Sequence, residues 1–243
     1  MQADIYIQAP KIIPVKFRTL SIGYGKKDYQ KFPRGLTFYK DFTQGHDLNA
    51  DYSRGSGFPI FTNTSSNTPV FDSNGISLGT ARDDVLKYAI LGNRTAAEET
   101  IIIKFTPDTD FANDGVYRTL TATDDKSRTI RKSNAVINTQ FAPNITDSSG
   151  SVASADLSIL ANVSYVLCGT CQGSTSPYVI LYKNGISGAT DTDNYTIPVW
   201  GTSFYIGSGS AGSLQANCSV SSVAFFGRAL SSAEVVTASN LMP

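Results

Sequence analysis

Apolar and polar residues alternate with a period of two in many short stretches of this chain, which is the pattern of half-buried β-strands. The clearest stretch covers residues 99–107, where Ile101, Ile103 and Phe105 would face one side and the residues between them the other. Weaker runs of the same kind cover residues 36–43, 76–80, 87–91, 116–124, 134–141, 164–172, 178–185, 203–209 and 218–226. About ten strands are enough for two packed antiparallel sheets.

Two local signals mark a hairpin and a helix. Asn184-Gly185 is the strongest two-residue hairpin signal in the chain. Ser231 is followed three residues later by Glu234, a capping box that predicts a short helix near the end of the chain. Because a glutamate at this position bonds to the backbone at the helix start, we interpret Glu234 as structural.

The first 34 residues differ from the rest. Residues 5–24 alternate well enough to be extended, but Pro10 and Pro14 restrict them to the edge of a sheet or to an arm. Glycine, proline and charged residues then form a linker-like stretch. We therefore divide the chain into an N-terminal arm, residues 1–34, and a domain, residues 35–243.

Charge separates the same two parts. The chain has 20 basic and 20 acidic residues, so its zero net charge predicts no general attraction to nucleic acid or membrane. The arm has a net charge of +5, from seven basic and two acidic residues, which leaves −5 on the domain. Its basic residues are Lys11, Lys16, Arg18, Lys26, Lys27, Lys31 and Arg34. This predicts an attachment arm that docks on an acidic surface or a neighbouring copy; a solvated extension is the alternative.

The N-terminus has no apolar run long enough for a signal-peptide core, so we expect no export by the ordinary secretory route. No stretch approaches the roughly 20 apolar residues that a membrane-spanning helix needs. Three cysteines, an odd and small number, do not form a disulfide framework.

Three stretches carry a resemblance to a known family. An R-x-L-S-x-x-E turn runs from Arg228 through Ser231 to Glu234 after the last strand, residues 181–185 read Leu-Tyr-Lys-Asn-Gly, and residues 204–209 read Phe-Tyr-Ile-Gly-Ser-Gly. This pattern resembles the C-terminal signature of laminin-G-like, concanavalin A-like jelly rolls. The opening of the domain is similar to that of such domains in bacteriophage virion proteins. The resemblance implies an all-β, two-sheet antiparallel jelly-roll sandwich, here with an extended N-terminal arm and a short C-terminal helix.

The family includes lectins, adhesion modules, glycosidases and particle-decorating proteins, so the fold leaves the function open. The first hypothesis is a non-enzymatic structural protein of a bacteriophage virion, made in the host cytoplasm. As a capsid decoration or a compact tail component, it would attach through its arm to other virion proteins or to copies of itself in a homo-oligomer. The alternative is a lectin or adhesin that binds host surface glycans. A glycoside hydrolase is the less favoured alternative.

The acidic residues do not predict a catalytic site. A glycosidase needs two carboxylates about 5–9 Å apart on one cleft. Glu98 and Glu99 are adjacent, so a strand would point them to opposite faces, and Asp108 and Asp110 follow a proline at a strand exit. His46 is the only histidine, and the chain has no G-x-S-x-G motif. We expect no catalytic residues and no enzyme activity.

Two metal sites are conceivable. Cys168, Cys171, Cys218 and His46 would make a Cys₃His zinc site, but a strand would separate the first two sulfurs, which favours buried free thiols. Asp191, Asp193 and Asn194 offer clustered oxygen ligands for calcium in a loop, for which the alternative is a solvated turn. Calcium is the one cofactor that we retain.

Glycan binding would need exposed aromatic side chains with polar neighbours. Tyr195 and Trp200 flank a loop and are the candidates for this role. The alternative for Trp200 is a structural one, in which its ring covers the core at the start of a strand.

Overall fold

The structure is a computed structural model of the 243-residue chain. It describes residues 28–44, 48–54, 70–79, 86–89, 98–108, 118–123, 128–133, 136–141, 151–155, 159–173, 176, 178–192, 203–209 and 215–243.

Within these residues the chain forms fifteen strands, one 3-10 helix and one α-helix. The 3-10 helix covers Asp28–Lys31 and the α-helix, α1, covers Ser232–Leu241. The strands are β1 (Leu36–Asp41), β2 (Tyr52–Ser53), β3 (Val70–Asp72), β4 (Gly75–Leu78), β5 (Leu86–Ala89), β6 (Glu98–Pro107), β7 (Arg118–Thr123), β8 (Arg128–Ser133), β9 (Val136–Phe141), β10 (Ser151–Ala155), β11 (Tyr165–Gln172), β12 (Val179–Lys183), β13 (Ile186–Asp191), β14 (Ser203–Ile206) and β15 (Cys218–Phe226). None of the described helices is long and apolar enough to cross a membrane.

The strands form two antiparallel sheets. The large sheet has nine strands, in the order β13-β12-β11-β6-β15-β1-β2, with β4 also paired to β15 and β3 to β4. The small sheet has six, in the order β10-β9-β8-β7-β14-β5. Several neighbours in each sheet are distant in sequence, so the chain crosses repeatedly between the sheets. This is the predicted jelly-roll sandwich.

The main core lies between the two sheets. Ile101, Ile103 and Phe105 of β6 belong to it, while Ile102 belongs to a second cluster on the outer face of the large sheet. The alternation predicted for this strand is therefore confirmed. Phe204 of the small sheet packs edge-on against Phe38, with ring centroids 4.9 Å apart, and joins the two layers.

The second cluster is covered by the two ends of the described chain. Val235 and Ala238 of α1 pack into it on the outer face of the large sheet. Phe32, just after the 3-10 helix, packs against Tyr39 and Phe226, with ring centroids 5.0 and 6.2 Å apart. The last residues of the predicted arm therefore lie against the domain.

A network of polar contacts, which we call the C-terminal clasp, fixes the start of α1 and consists of Thr100, Arg228, Ser231 and Glu234. The guanidinium of Arg228 donates to both carboxylate oxygens of Glu234 and, through Nε, to the carbonyl of Arg34 at 2.8 Å. Ser231 and Glu234 form the predicted capping box. Thr100 accepts from Leu230 N at 2.9 Å and donates to the Arg228 carbonyl at 3.0 Å.

The predicted Asn184-Gly185 hairpin joins β12 to β13. Both residues have positive φ values, 51° and 79°, as the turn requires. The Asn184 side-chain oxygen accepts from the backbone N–H of Val166 at 2.8 Å. A Cβ on Gly185 would lie 3.3 Å from the Cα of Val236 in α1, so this glycine also lets the hairpin approach the helix.

The strand count is higher than the sequence predicted, because five strands carry weak local signals. One of them, β2, has two residues and pairs with β1. β3 has three residues, β8 has Ile130 as its only apolar residue, and β10 and β13 are rich in Ser, Ala and Gly. These segments pair with a neighbouring strand, so tertiary pairing rather than local preference makes them strands.

Candidate functional site

One end of the sandwich brings together several strand ends. Gln172 at the end of β11 pairs with Glu98 at the start of β6, and Asp191 at the end of β13 pairs with Val179 at the start of β12. The small sheet contributes the start of β14. Phe204 packs against Phe225, with ring centroids 4.4 Å apart, and Phe225 pairs with Ile101 near the start of β6. We call this end, with Glu98, Gln172, Tyr178, Asp191 and Ser203, the Asp191 rim.

Backbone hydrogen bonds bring three polar residues to the ends of neighbouring strands at this rim. Gln172 pairs with Glu98 on the outer face of the large sheet, whereas Asp191 pairs with Val179 of the main core and so lies on the inner face. Gln172 N donates to the Tyr178 carbonyl at 2.8 Å, and Tyr178 N donates to the Asp191 carbonyl at 2.9 Å. All three residues are partly exposed. Within the described part of the chain, Gln172 and Tyr178 make their hydrogen bonds through the backbone, which leaves the amide and the phenol for a ligand.

This set has the chemistry of a sugar-binding surface. An aromatic ring presents a flat apolar face, and its hydroxyl both donates and accepts. The Gln172 amide donates and accepts, and the Asp191 carboxylate accepts from hydroxyl groups. A small number of fixed polar groups beside an apolar surface is typical of ligand sites.

Of the predicted glycan and calcium residues, Asp191 is the one within the described part of the chain. Asp191 lies at the end of β13, while Asp193, Asn194, Tyr195 and Trp200 lie outside the described residues. The segment that contains them, residues 193–202, begins after Thr192 and ends before Ser203, at this rim. Both roles remain predictions.

The arm is described only from residue 28 onward. Lys31 is exposed in the 3-10 helix. The other predicted attachment residues of the arm lie outside the described residues: Lys11, Lys16, Arg18, Lys26 and Lys27.

The adjacent glutamates of β6 lie on opposite faces, as the sequence indicated. Glu98 is exposed, and Glu99 is 1% exposed on the inner side of the sheet. The charge of Glu98 acts on Arg228, so it lies near the clasp. Asp110 and His46 lie outside the described residues.

The three cysteines are free and buried, as predicted. Cys168 lies in the cluster under α1, whereas Cys171 and Cys218 lie between the sheets. Burial raises the pKa values of the Cys168 and Cys218 thiols above their ordinary value, so both stay protonated. In the described ranges, no three His, Cys, Asp or Glu side chains cluster as a metal site would require.

Sequence reasoning missed Gln172 and Tyr178. Both were read only as ends of strands, and neither belongs to a recognisable motif. A usable signal exists in the sequence, since residues 173–177 read Gly-Ser-Thr-Ser-Pro, which predicts a turn, and residues that flank a turn between neighbouring strands lie close together.

Comparison with known proteins gives the family and the fold. Residues 89–236, more than half of the chain, match the family model described as concanavalin A-like lectin/glucanases superfamily. No curated protein sequence matches the chain.

Solved structures are similar at low sequence identity. The botulinum neurotoxin serotype D binding domain is 12% identical with a TM-score of 0.64, and the match covers 88% of this chain and 52% of that one. The serotype D ligand-binding domain in complex with N-acetylneuraminic acid is 11% identical with a TM-score of 0.62, over 88% and 51%. A Trypanosoma rangeli sialidase in complex with 2,3-difluorosialic acid is 14% identical with a TM-score of 0.58, over 86% and 33%. The chain thus spans about half of the toxin domains and a third of the sialidase, and these likenesses show the fold.

Proposed function

Because this chain belongs to the concanavalin A-like lectin/glucanase superfamily, we propose that it is a non-enzymatic carbohydrate-binding module that holds host surface glycans at the Asp191 rim. The observation that carries this proposal is the backbone pairing that brings Gln172 and Tyr178 next to each other at the rim, with Asp191 at the end of the adjoining strand. The structure of a similar toxin domain in complex with N-acetylneuraminic acid supports it. Because the chain matches only half of that domain, the residues of the rim carry the argument.

In this proposal the sugar ring lies against the ring of Tyr178. Gln172 donates to and accepts from the sugar hydroxyls. Tyr195 and Trp200 belong to the segment that starts and ends at the rim, and they would add further aromatic contacts. Stacking on an aromatic ring combined with a few hydrogen bonds distinguishes sugars with different hydroxyl orientations.

The β6 glutamates support a non-enzymatic role, although one similar structure is a sialidase. Hydrolysis by paired carboxylates needs both groups on one side of the bond-bearing cleft. Glu99 is buried inside the sandwich and Glu98 is on the outer side. The two therefore cannot act on one glycosidic bond.

Calcium at Asp191, Asp193 and Asn194 is part of the proposal, since oxygen ligands at a rim loop suit this ion. We expect calcium to raise the melting temperature and a chelator to reverse the rise. The control is magnesium at the same concentration, because this ion requires near-octahedral coordination with shorter metal–oxygen distances than calcium. No change with calcium, or an equal change with magnesium, would remove calcium from the proposal.

The function is tested by screening the full chain against a glycan panel and titrating the best ligand into variants. Tyr178→Ala should weaken binding at least about tenfold, as expected for a central aromatic contact. The matched control is Leu160→Ala, because Leu160 is exposed near Pro107, at the opposite end of the sandwich. Absence of any glycan ligand, or equal binding by both variants, would contradict the proposal.

A second candidate is the structural role in a virion, attached through the arm. It is supported by the end of the arm nearest the domain, residues 28–34, which we call the arm root. The rings of Tyr29 and Tyr52 pack with centroids 5.0 Å apart, and Arg228 donates to the Arg34 carbonyl. Electron microscopy of particles from producing cells should then show the protein on head or tail. Deletion of residues 1–27, which leaves the root intact, should abolish attachment. Recovery of the full chain only as free protein would contradict this role.

A further inference from the structure

We propose that Glu98 determines which sugars the rim accepts: it selects glycans with a free, protonated amino group and disfavours sialylated ones. This role rests on the proposed carbohydrate-binding function and names the class of sugar that the same site would take.

Three side chains form one row across neighbouring strands, which we call the Glu98 row. Glu98 of β6 pairs directly with Gln172 of β11. The register of β11 and β12 runs to Cys171 and Val179, and one residue further along Gln172 N donates to the Tyr178 carbonyl at 2.8 Å. Glu98, Gln172 and Tyr178 therefore lie side by side, over two strand spacings or about 10 Å.

The Glu98 row lies on the outer face of the large sheet. Ile102, four residues after Glu98, and Ile180, two residues after Tyr178, belong to the cluster on that face. Because side chains alternate between the two faces of a sheet, Glu98 and Tyr178 point to the same side as these isoleucines. Glu98 is exposed, and Gln172 and Tyr178 are partly exposed, so one ligand can reach all three.

The carboxylate of Glu98 has no fixed partner. Within the described part of the chain it makes no hydrogen bond or ion pair, and the cation with which its charge interacts is Arg228. The guanidinium of Arg228 donates through both terminal nitrogens to Glu234. Arg228 is thus bound by another carboxylate, and the carboxylate of Glu98 stays open to a ligand.

A carboxylate beside an amide and a phenol distinguishes sugars by their charge. It accepts a charge-assisted hydrogen bond from an ammonium group, which is stronger than a bond from a neutral donor. An N-acetylated amine has lost that charge, and the carboxylate of a sialic acid is repelled because like charges disfavour each other. The rim should therefore bind a free amino sugar more tightly than its N-acetylated form, and a neutral glycan more tightly than its sialylated form.

The first test measures binding of the full chain to matched sugars at pH 6, where a glutamate is ionised and a sugar amine is protonated. The pairs are oligomers of glucosamine or galactosamine with their N-acetylated forms, and lactose with sialyllactose. We expect the amino form to bind at least about fivefold more tightly than the N-acetylated form, since a charged donor adds to the hydrogen bond. The preference should shrink as salt is added, because salt screens exposed charges.

The outcomes separate this role from the function on which it rests. Equal or tighter binding of the N-acetylated or the sialylated member overturns the role of Glu98 and leaves carbohydrate binding in place. No binding to any glycan overturns both.

The second test assigns the preference to Glu98 itself. Glu98→Gln should lower the ratio of the two affinities to about one, because a neutral amide no longer favours the charged donor. Glu98→Lys should reverse the selection, so that sialyllactose binds more tightly than lactose. The melting temperature of each variant shows whether it is folded.

The matched control is Asp72→Asn, which removes an exposed carboxylate elsewhere on the domain. Asp72 accepts from Ser219, which pairs with Thr106, eight residues along β6 from Glu98 or about 26 Å away. This variant should keep the wild-type preference. An unchanged preference in Glu98→Gln, or an equal loss in both variants, would attribute the selection to the charge of the whole domain and overturn the role of Glu98.

Discussion

The C-terminal clasp and the Asp191 rim both collect polar side chains at the surface of the large sheet, but they use them differently. In the clasp the side chains bond to one another and to the backbone. Arg228 donates to Glu234, the Glu234 carboxylate accepts from the Ser231 backbone N–H, and the Thr100 hydroxyl donates to the Arg228 carbonyl. At the rim, Gln172 and Tyr178 are joined to their neighbours through backbone groups. Of these two described regions, the rim is the one in which an amide and a phenol make no side-chain hydrogen bond within the described residues.

The residues that carry the sequence resemblance to the family are therefore not the residues of the proposed glycan site. Arg228, Ser231, Glu234 and the Asn184-Gly185 turn all hold α1 and its neighbours in place. They stabilise the fold, while the proposed glycan binding depends on rim residues that belong to no signature. Variants of the two regions should therefore separate stability from binding.

The largest effect on stability is expected from Leu230→Ala. Leu230 is 1% exposed and packs under α1 in the cluster on the outer face of the large sheet. Loss of the buried side chain should lower the free energy of unfolding by about 2–5 kcal/mol, measured by urea denaturation. Ile186→Ala, at a position that is 74% exposed, is the control and should change it by no more than about 0.5 kcal/mol. If Leu230→Ala lowered the free energy of unfolding by no more than Ile186→Ala does, the packing of Leu230 under α1 would contribute little to stability.

Arg228→Ala should have an intermediate effect, about 1–3 kcal/mol, because it removes the bonds to Arg34, Ala229 and Glu234 together. Loosening the clasp should also expose Cys168, which lies under α1, before Cys171 and Cys218. Thiol labelling mapped by mass spectrometry measures this order. Equal labelling of all three cysteines would indicate general unfolding and contradict a local clasp.

Acid should weaken the clasp through Glu234. The hydrogen bonds from Arg228 and Ser231 lower the pKa of this carboxyl from 4.5 to about 2. The unfolded chain therefore takes up the proton first, so the stabilisation is complete above about pH 4.5 and is lost as the pH falls toward 2. Because the pair is partly exposed, we expect a loss of less than about 1 kcal/mol. Urea midpoints of wild type and Glu234→Gln should converge between pH 5 and roughly pH 2.5; a constant difference would contradict this account.

The smallest effect on stability is expected at the rim. Gln172→Ala removes an amide that makes no side-chain bond within the described residues, so the melting temperature should stay within about 1–2 °C of wild type. Glycan affinity should nevertheless fall several-fold, measured by calorimetry, because a hydrogen bond to the sugar is lost. A destabilised protein with unchanged affinity would place Gln172 in the scaffold.

The sequence predicted most of the scaffold because its signals are local or periodic. The capping box at Ser231 and Glu234, the Asn184-Gly185 turn and the alternation in β6 each depend on residues a few positions apart, and the structure confirms them. The separation of Cys168 and Cys171 follows from the same alternation.

The rim could not be found in this way, since it is made by pairing between strands. Gln172 and Tyr178 become neighbours of Asp191 only when β11, β12 and β13 align. β13 itself has a sequence of small residues with no strong strand preference, so its position depends on its partner. The prediction of Tyr195 and Trp200 as glycan-binding residues depends on their chemistry and on their place between two strands, and it stays a prediction because both lie outside the described residues.

The most direct test of the separation between clasp and rim is one glycan titration, performed by calorimetry on wild type, Tyr178→Ala and Arg228→Ala at a temperature where all three are folded. We predict that Tyr178→Ala loses at least about tenfold in affinity at nearly unchanged stability. Arg228→Ala should retain wild-type affinity although it is less stable. Loss of binding in Arg228→Ala together with wild-type binding in Tyr178→Ala would contradict the account.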